Sequence, residues 1–277
     1  MIFQDILPCL ALQPFICTFR LVHLQFEPDA FPKTPYPTRI EQALVFFARG
    51  HIDCYDPISG MTRTIPRNAL FGQQVSRLDF YQNVTADFLM LMVVFQPGGL
   101  YRLLGFSSNE LTCEFCDAEP VMSTELQVVN DQIANASDYA TMIDRAQEYF
   151  LRKLQKVKAG AHPVDKIGQL LLNNPGSCSL DWLADQACLS PRQFERKFSE
   201  RVGVGPKLYS RINRFFHTLQ YKEKHLHLDW LSIAVHFGYS DYDHLAKDFK
   251  QFAHVNPNLT FKEYTQRPEF IVQVRNL

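Results

Sequence analysis

Two stretches of this chain, about fifty residues apart, carry the same order of small, apolar and basic residues. Ala184 and Cys188 recur as Ala234 and Gly238 at an offset of 50, and Phe194, Arg196, Phe198 and Pro206 recur as Leu245, Lys247, Phe249 and Pro257 at an offset of 51. The second copy therefore has one extra residue in its turn. In the first copy, Leu180, Leu183, Ala184 and Ala187 share one face of a short helix that Ser179 can cap. Ser190 caps a second helix, Pro191 takes its first position, and Phe194 and Phe198 face inward. In the second copy the inward face is Leu245, Phe249 and Phe252. Whatever else this chain forms, it has to accommodate two copies of a helix-turn-helix.

At about 100° per residue, Arg192 and Arg196 project on the side opposite Phe194 and Phe198, with Gln193, Glu195 and Lys197 beside them. The outward residues of the second copy are Asp243, His244, Lys247 and Lys250. A helix with a buried apolar edge and an arginine-rich opposite face suits the DNA major groove, where Arg and Gln pair with guanine and adenine edges. One such helix on its own could equally be an ordinary solvated surface helix, and the recurrence shifts the weight. Between the copies, Pro206 to Lys224 reads as one helix with Leu208, Ile212, Phe215, Phe216 and Leu219 on its apolar side. Nineteen residues at about 1.5 Å each span roughly 28 Å, close to the roughly 34 Å between successive major-groove openings on one face of DNA.

The remainder of the chain has a different period. Its 277 residues exceed one ordinary domain and predict two. From about 15 to 117, short apolar runs such as Ala43–Phe47 and Phe88–Phe95 stop at Gly50 and at Pro97-Gly98-Gly99, and they read as strands of a barrel or sandwich. Ser137–Val157 carries Met142, Ile143, Ala146, Tyr149, Phe150, Leu154 and Val157 at helical spacing. That stripe either packs on the barrel or pairs with its twin in a homodimer. Lys158–Pro163 breaks the pattern, and the boundary falls near 158–164.

Charge separates at the same line. Residues 165–267 hold 14 Lys and Arg against 11 Asp and Glu, with six of the nine histidines; residues 1–164 hold 13 against 17. The formal net charge of −1 excludes a polybasic binder, while leaving a modest basic excess in the helical half. No uncharged apolar run is long enough to span a bilayer, so no membrane partner is expected. Met1–Phe19, broken by Asp5 and Pro8, reads as mature sequence. Seven irregularly spaced cysteines fit reduced thiols in a cytoplasmic protein.

The signs of catalysis are thin. There is no Gly-x-Ser-x-Gly, no Gly-x-Gly-x-x-Gly and no Walker-type phosphate loop. Only His23 and His51 precede the linker, Cys113-x-x-Cys116 lacks a second pair, and His225 and His227 do not share a helix face. Phe46, Phe47, Tyr55, Phe71, Phe80 and Tyr81 either line an apolar ligand pocket or fill a core.

Residues 165–267 resemble the tandem helix-turn-helix DNA-binding domain of the AraC/XylS family of bacterial transcription regulators. The residues that carry the resemblance are Leu183-Ala184, Leu189-Ser190-Pro191, Phe194-x-Arg196-x-Phe198, Gly203-x-Gly205-Pro206, Arg214, Ile233-Ala234, Gly238-Tyr239-Ser240-Asp241, Leu245, Phe249-Lys250 and Pro257. The resemblance implies base-reading positions for Arg192, Gln193, Glu195 and Arg196 in the first copy and for Asp243, His244 and Lys247 in the second, and Lys197 and Lys250 on the same helices are expected to contact DNA beside them. His254 stands where that family usually has glycine, and Asp243 with Asp248 makes the second helix less basic. The first copy is thus expected to carry more of the sequence readout and the second more of the phosphate contact. Residues 1–157 resemble, more loosely, the cupin-like sensory domain of one AraC subgroup, through Pro14-Phe15-Ile16, Phe46-Phe47 with Gly50, and Phe95-x-Pro97-Gly98-Gly99-Leu100-Tyr101-x-Leu103-Leu104-Gly105.

The expected fold is a two-domain α+β chain. A cupin-like β-barrel with helices spans 1–157, a linker 158–164, an all-α tandem helix-turn-helix domain 165–268, and a tail 269–277. The expected function is that of a sequence-specific regulator controlled by a small-molecule effector or partner at the first domain. Duplex DNA is its main partner, RNA polymerase is a second where it activates, and no cofactor is expected. Two alternatives stand beside it: a first domain that serves only assembly, and a cupin-like metal enzyme fused to a regulator.

Overall fold

The computed structural model describes residues 2–25, 33–82, 87–105, 107–157, 160–176 and 178–266; linker residues 158 and 159 and the tail 269–277 lie outside them. The apolar runs of the first half are strands: β1 (Ile2–Ile6), β2 (Ile16–Gln25), β3 (Thr34–Tyr36), β4 (Ala43–Arg49), β5 (Ile52–Tyr55), β6 (Thr62–Thr64), β7 (Asn68–Phe71), β8 (Leu78–Gln82), β9 (Asp87–Phe95) and β10 (Phe115–Asp117). They form a six-stranded antiparallel sheet in the order β1-β2-β9-β4-β7-β10 and a four-stranded one in the order β3-β8-β5-β6.

Alternation along each strand explains why these runs are so uniformly apolar. In the larger sheet, Phe19, Leu21, Leu44, Phe46, Leu89, Leu91 and Val93 point to a helical layer. Their neighbours Val22, Leu24, Val45, Phe47, Phe88, Met90 and Met92 point toward Leu78, Phe80, Ile52 and Cys54 of the smaller sheet. Both faces are covered, so neither needs polar residues. The expected barrel is an open one: the two sheets face each other across an apolar core and form separate hydrogen-bonded ladders.

The helical layer begins where β9 stops. Gly98 adopts a left-handed conformation (φ 75°) and starts α1 (Gly99–Leu104), which Gly105 (φ 78°) closes. After α2 (Ala118–Met122) and α3 (Glu125–Ala134), α4 (Tyr139–Leu154) buries Met142, Ile143, Ala146, Tyr149 and Phe150 against the sheet and α3. The stripe on this helix is covered by the chain's own first domain. His23 fastens the other end, with Nδ1 2.6 Å from the Tyr139 hydroxyl and Nε2 2.6 Å from Asp87.

The second half is α5 (Pro163–Asn173), α6 (Leu180–Gln186), α7 (Pro191–Val202), α8 (Pro206–Lys224), α9 (Trp230–His236), α10 (Tyr242–Ala253) and α11 (Pro257–Thr265). Helix α5 starts at Pro163, two residues before the expected domain start, because the His162 ring and the Asp165 carboxylate form a reciprocal cap there. The duplication is visible in the coordinates: α6 and α9 have the same length at an offset of 50, and α7 and α10 at an offset of 51. Ser179 and Ser190 cap the first pair, and Asp229 and Asp241 cap the second.

Candidate nucleic-acid interface

Helix α7 begins with a capping box in which Ser190 Oγ accepts from Gln193 N–H and Gln193 Oε1 accepts from the Ser190 N–H (3.2 Å) and hydroxyl (2.9 Å). Its inner edge is anchored by Phe194 and Phe198, both fully buried. Arg192, Glu195 and Arg196 are left exposed on the outer face, with no hydrogen bond or ion pair to described residues. Lys197 sits at the flank, paired with Glu200 at 2.8 Å. That ammonium, helped by the Tyr101 hydroxyl at 2.9 Å, holds the Glu200 carboxyl below the usual range.

In α10, Leu245, Phe249 and Phe252 are fully buried, and Asp243, Lys247 and Lys250 are exposed and unpaired among the described residues. His244 differs from the outward position read from the sequence. Its half-buried ring lies with Nε2 3.3 Å from Arg214 Nη2 and Nδ1 3.3 Å from Ser240 Oγ, so both nitrogens are occupied within the domain. The cause is Asp248, one turn further along. This buried carboxylate draws Arg211 (2.6 Å) and Arg214 (3.1 Å) out of α8, and Arg214 meets the imidazole on the way. Tyr239 closes the network, 3.9 Å from the Arg214 guanidinium. Six of the nine expected contact residues thus present free side chains: Arg192, Glu195 and Arg196 on α7, and Asp243, Lys247 and Lys250 on α10. Gln193, Lys197 and His244 are already engaged.

Sequence reasoning missed how firmly both helix pairs are held by the first domain. The Pro97-Gly98-Gly99 turn packs against α5: a Cβ on Gly98 would overlap the Asp165 carboxylate, and one on Gly168 would meet Pro97. Asp165 in turn accepts two bonds from Arg201, at the end of α7, at 2.6 and 2.7 Å. Ser108 and Thr112 donate to the carbonyls of Arg201 and Gly203. At the second copy, Thr38 donates through its N–H and its hydroxyl to the Phe252 carbonyl, and Arg77 bridges Asp79, Glu263 and the Ala253 carbonyl. The sequence signal for these contacts is the paired glycine after Pro97, which on its own reads as a strand-ending turn.

The two sheets enclose a cavity of about 130 Å³. Phe47, Phe71 and Phe80 line it, whereas Phe46 faces the helices and Tyr55 and Tyr81 meet edge to face on the outer side of the smaller sheet. At one end stand Arg20, Arg39 and Glu41. Arg20 is shared between Glu41 (2.9 Å) and Asp5 (2.8 Å). Burial alone would raise the Glu41 carboxyl, but the Arg20 and Arg39 guanidiniums outweigh it and hold it below its ordinary value. Arg39 is 9% exposed, stacks on Tyr36 and Phe216 of α8, and has a buried Nε with no hydrogen-bond partner.

No group of three or more His, Cys, Asp or Glu that could hold a metal occurs among the described residues. Cys113 and Cys116 are half-buried, and burial pushes both thiols up. His225 stacks on Tyr221, whose other neighbour in the stack is His236. Among the described residues, no helix is long and apolar enough to cross a membrane.

Comparison with known proteins agrees with this geometry. Residues 183–263 match the family model described as a helix-turn-helix domain. A crystal structure of an apo, singly substituted ToxT from Vibrio cholerae is similar at 12% identity and a TM-score of 0.50, covering 88% of this chain and 97% of that one. Another structure of ToxT gives 12% identity and a TM-score of 0.49 over 88% and 98% of the two chains. Wild-type ToxT with an unsaturated fatty acid bound gives 11% and 0.47 over 88% and 94%. No curated protein sequence matches the chain. The two-domain fold is shared with the apo structure, and residues 183–263, which take in most of the stretch from α6 to α11, match a helix-turn-helix domain.

Proposed function

We propose that this chain is a sequence-specific transcription regulator that acts in the cytoplasm, reads duplex DNA with α7 and α10, and is controlled by a small apolar anion held in its sheet domain. The observation that carries the first part is the pair of exposed, unpaired faces on α7 and α10, repeated at an offset of 51 on either side of a 19-residue helix. Arg192 and Arg196 have the reach and the free donors for guanine edges. Lys250 and Lys247 supply charge beside an acidic Asp243, which suits backbone contact more than base readout. Selection of duplexes from a randomised library with the full chain tests this directly, and two recovered half-sites about one helical turn apart are expected. Replacing Arg196 with Ala should then weaken binding to the selected site by about 1–3 kcal/mol and relax preference at one position. Unchanged affinity at fixed salt removes Arg196 from the readout.

The ligand reading rests on this chain's own cavity. Its walls are Val22, Val45, Phe47, Phe80 and Met92, and its charged end holds Arg39, whose Nε lacks a partner beside the domain junction at Phe216. An apolar body ending in a carboxylate satisfies both. Such a ligand at a hundred times its Kd stabilises the chain by about 2.7 kcal/mol, which thermal unfolding across a panel of apolar acids and their methyl esters detects. Equal shifts from acids and esters would exclude a role for Arg39.

A further inference from the structure

A second charged site lies between the two recognition helices. The cleft there has a volume of about 710 Å³ and is bounded by α6, α7, the first half of α8 and α10. Four cationic side chains line it, Lys207, Arg211, Arg214 and Lys247, against two carboxylates, Glu195 and Asp248. Asp248 is shared by both arginines and is more than neutralised. Lys207 and Lys247 are exposed and make no ion pair among the described residues. On the floor, Arg214 is 6% exposed with a buried Nε that has no hydrogen-bond partner. The α8 helix opens on this cleft from a glycine cap, so no side chain satisfies the N–H groups of its first turn.

We propose that this cleft seats the phosphodiester backbone of the DNA strand that passes from one recognition-helix groove to the next, with Lys207 and Lys247 as its contacts. The inference rests on the DNA-reading function proposed above. A strand that links two grooves roughly 34 Å apart has to cross the middle of the span that α8 bridges, and that is where the unpaired positive charge is collected. The duplication supplies an internal control. At an offset of 51, Lys207, Ser210 and Arg214 of α8 become Asn258, Phe261 and Thr265 of α11, while Arg211 keeps a cation as Lys262. Helix α11 starts from the same kind of turn with Pro257 at its first position, yet it turns toward β3 and Arg77 of the first domain. The fold therefore tolerates uncharged residues where Lys207 and Arg214 stand, and the cations at these two positions occur in the copy whose first turn opens between the recognition helices.

The test uses the full chain and a duplex of roughly 40 base pairs of arbitrary sequence, long enough for two grooves. Each phosphate contact contributes about 0.9 to the slope of log affinity against log salt. Lys207→Ala should lower that slope by about 0.9, so that between 50 and 200 mM salt the variant loses about 3-fold less affinity than the parent chain. Lys247→Ala should do the same, and Lys156→Ala in the first domain should leave the slope unchanged. On a selected site, methylphosphonates at the phosphates between the half-sites should weaken the parent chain more than Lys207→Ala, which keeps only the Lys247 contact. A parent chain that binds no duplex overturns both proposals. A parent chain that binds while Lys207→Ala keeps its slope and its full methylphosphonate sensitivity overturns the cleft alone.

Discussion

Replacing Arg201 with Met tests how the first recognition helix is held. Arg201 lies in the last turn of α7, and its fork meets Asp165 of α5 with both side chains about 7% exposed or less. Removing the guanidinium leaves a carboxylate with little access to water and one remaining hydrogen bond among the described residues, from the His162 N–H at 3.0 Å. Breaking a buried ion pair from one side costs about 3–5 kcal/mol, mostly because the surviving charge stays buried. Neutralising both partners relieves that penalty. Asp165→Asn with Arg201→Met should therefore be destabilised by less than the two single losses added together, with a coupling of about 2 kcal/mol or more. The assay is urea unfolding followed by tryptophan fluorescence, since both tryptophans, Trp182 and Trp230, belong to α6 and α9 and report the helical domain. A single-variant loss below about 1 kcal/mol, or additive losses, would refute the claim that this fork fixes α7.

The same unfolding assay reaches three other points. Cys188 occupies a left-handed turn (φ 54°) where the second copy has Gly238 (φ 71°). Cys188→Gly should raise stability by about 0.5–1 kcal/mol, the relief of left-handed strain less the flexibility added to the unfolded chain; a loss of stability contradicts that account. Gly98→Ala should cost more than about 2 kcal/mol, since it adds left-handed strain to a clash with the Asp165 carboxylate, and near-neutral behaviour would mean that the turn is not in contact with α5. Acid should loosen the second helix pair before the first. The backbone N–H groups they accept hold the exposed caps Asp229 and Asp241 below 3.8, so their contribution is full above that pH and disappears as pH falls through the lowered values, whereas Ser179 and Ser190 do not titrate. Single-tryptophan variants retaining Trp182 or Trp230 separate the two, and coincident acid transitions would argue against cap titration as the cause.

What the sequence revealed and what it hid divide along the range of the interactions. Helix starts at Pro191 and Pro206, the inward Phe194, Phe198 and Phe249, and the turn after Phe95 are set by residues within one or two turns of each other, and periodicity reports them. Strand order is set by pairings such as Leu21 with Leu91, seventy residues apart, for which an apolar run carries no address. The contact of Thr38 with Phe252 is more remote still. His244 shows the limit most plainly: a helical wheel gives the direction in which a side chain leaves its own helix, and the arrival of Arg214 from α8 turned that position inward.

Net charge was misleading for a related reason. The helical half has an excess of three positive charges, which is small for a DNA binder. Much of its positive charge is consumed inside the domain: Arg201 by Asp165, Arg211 and Arg214 by Asp248, Lys197 by Glu200, and Lys222 by the carbonyls of Leu226 and Leu228. Three of the carboxylates that lower the formal total, Asp165, Glu200 and Asp248, are the ones that hold these cations in place. Arg192, Arg196, Lys207, Lys247 and Lys250 remain free around the two recognition helices. The salt dependence of DNA binding should thus follow the number of these side chains that reach phosphate, and a domain that is nearly neutral on paper presents a distinctly cationic face to the duplex.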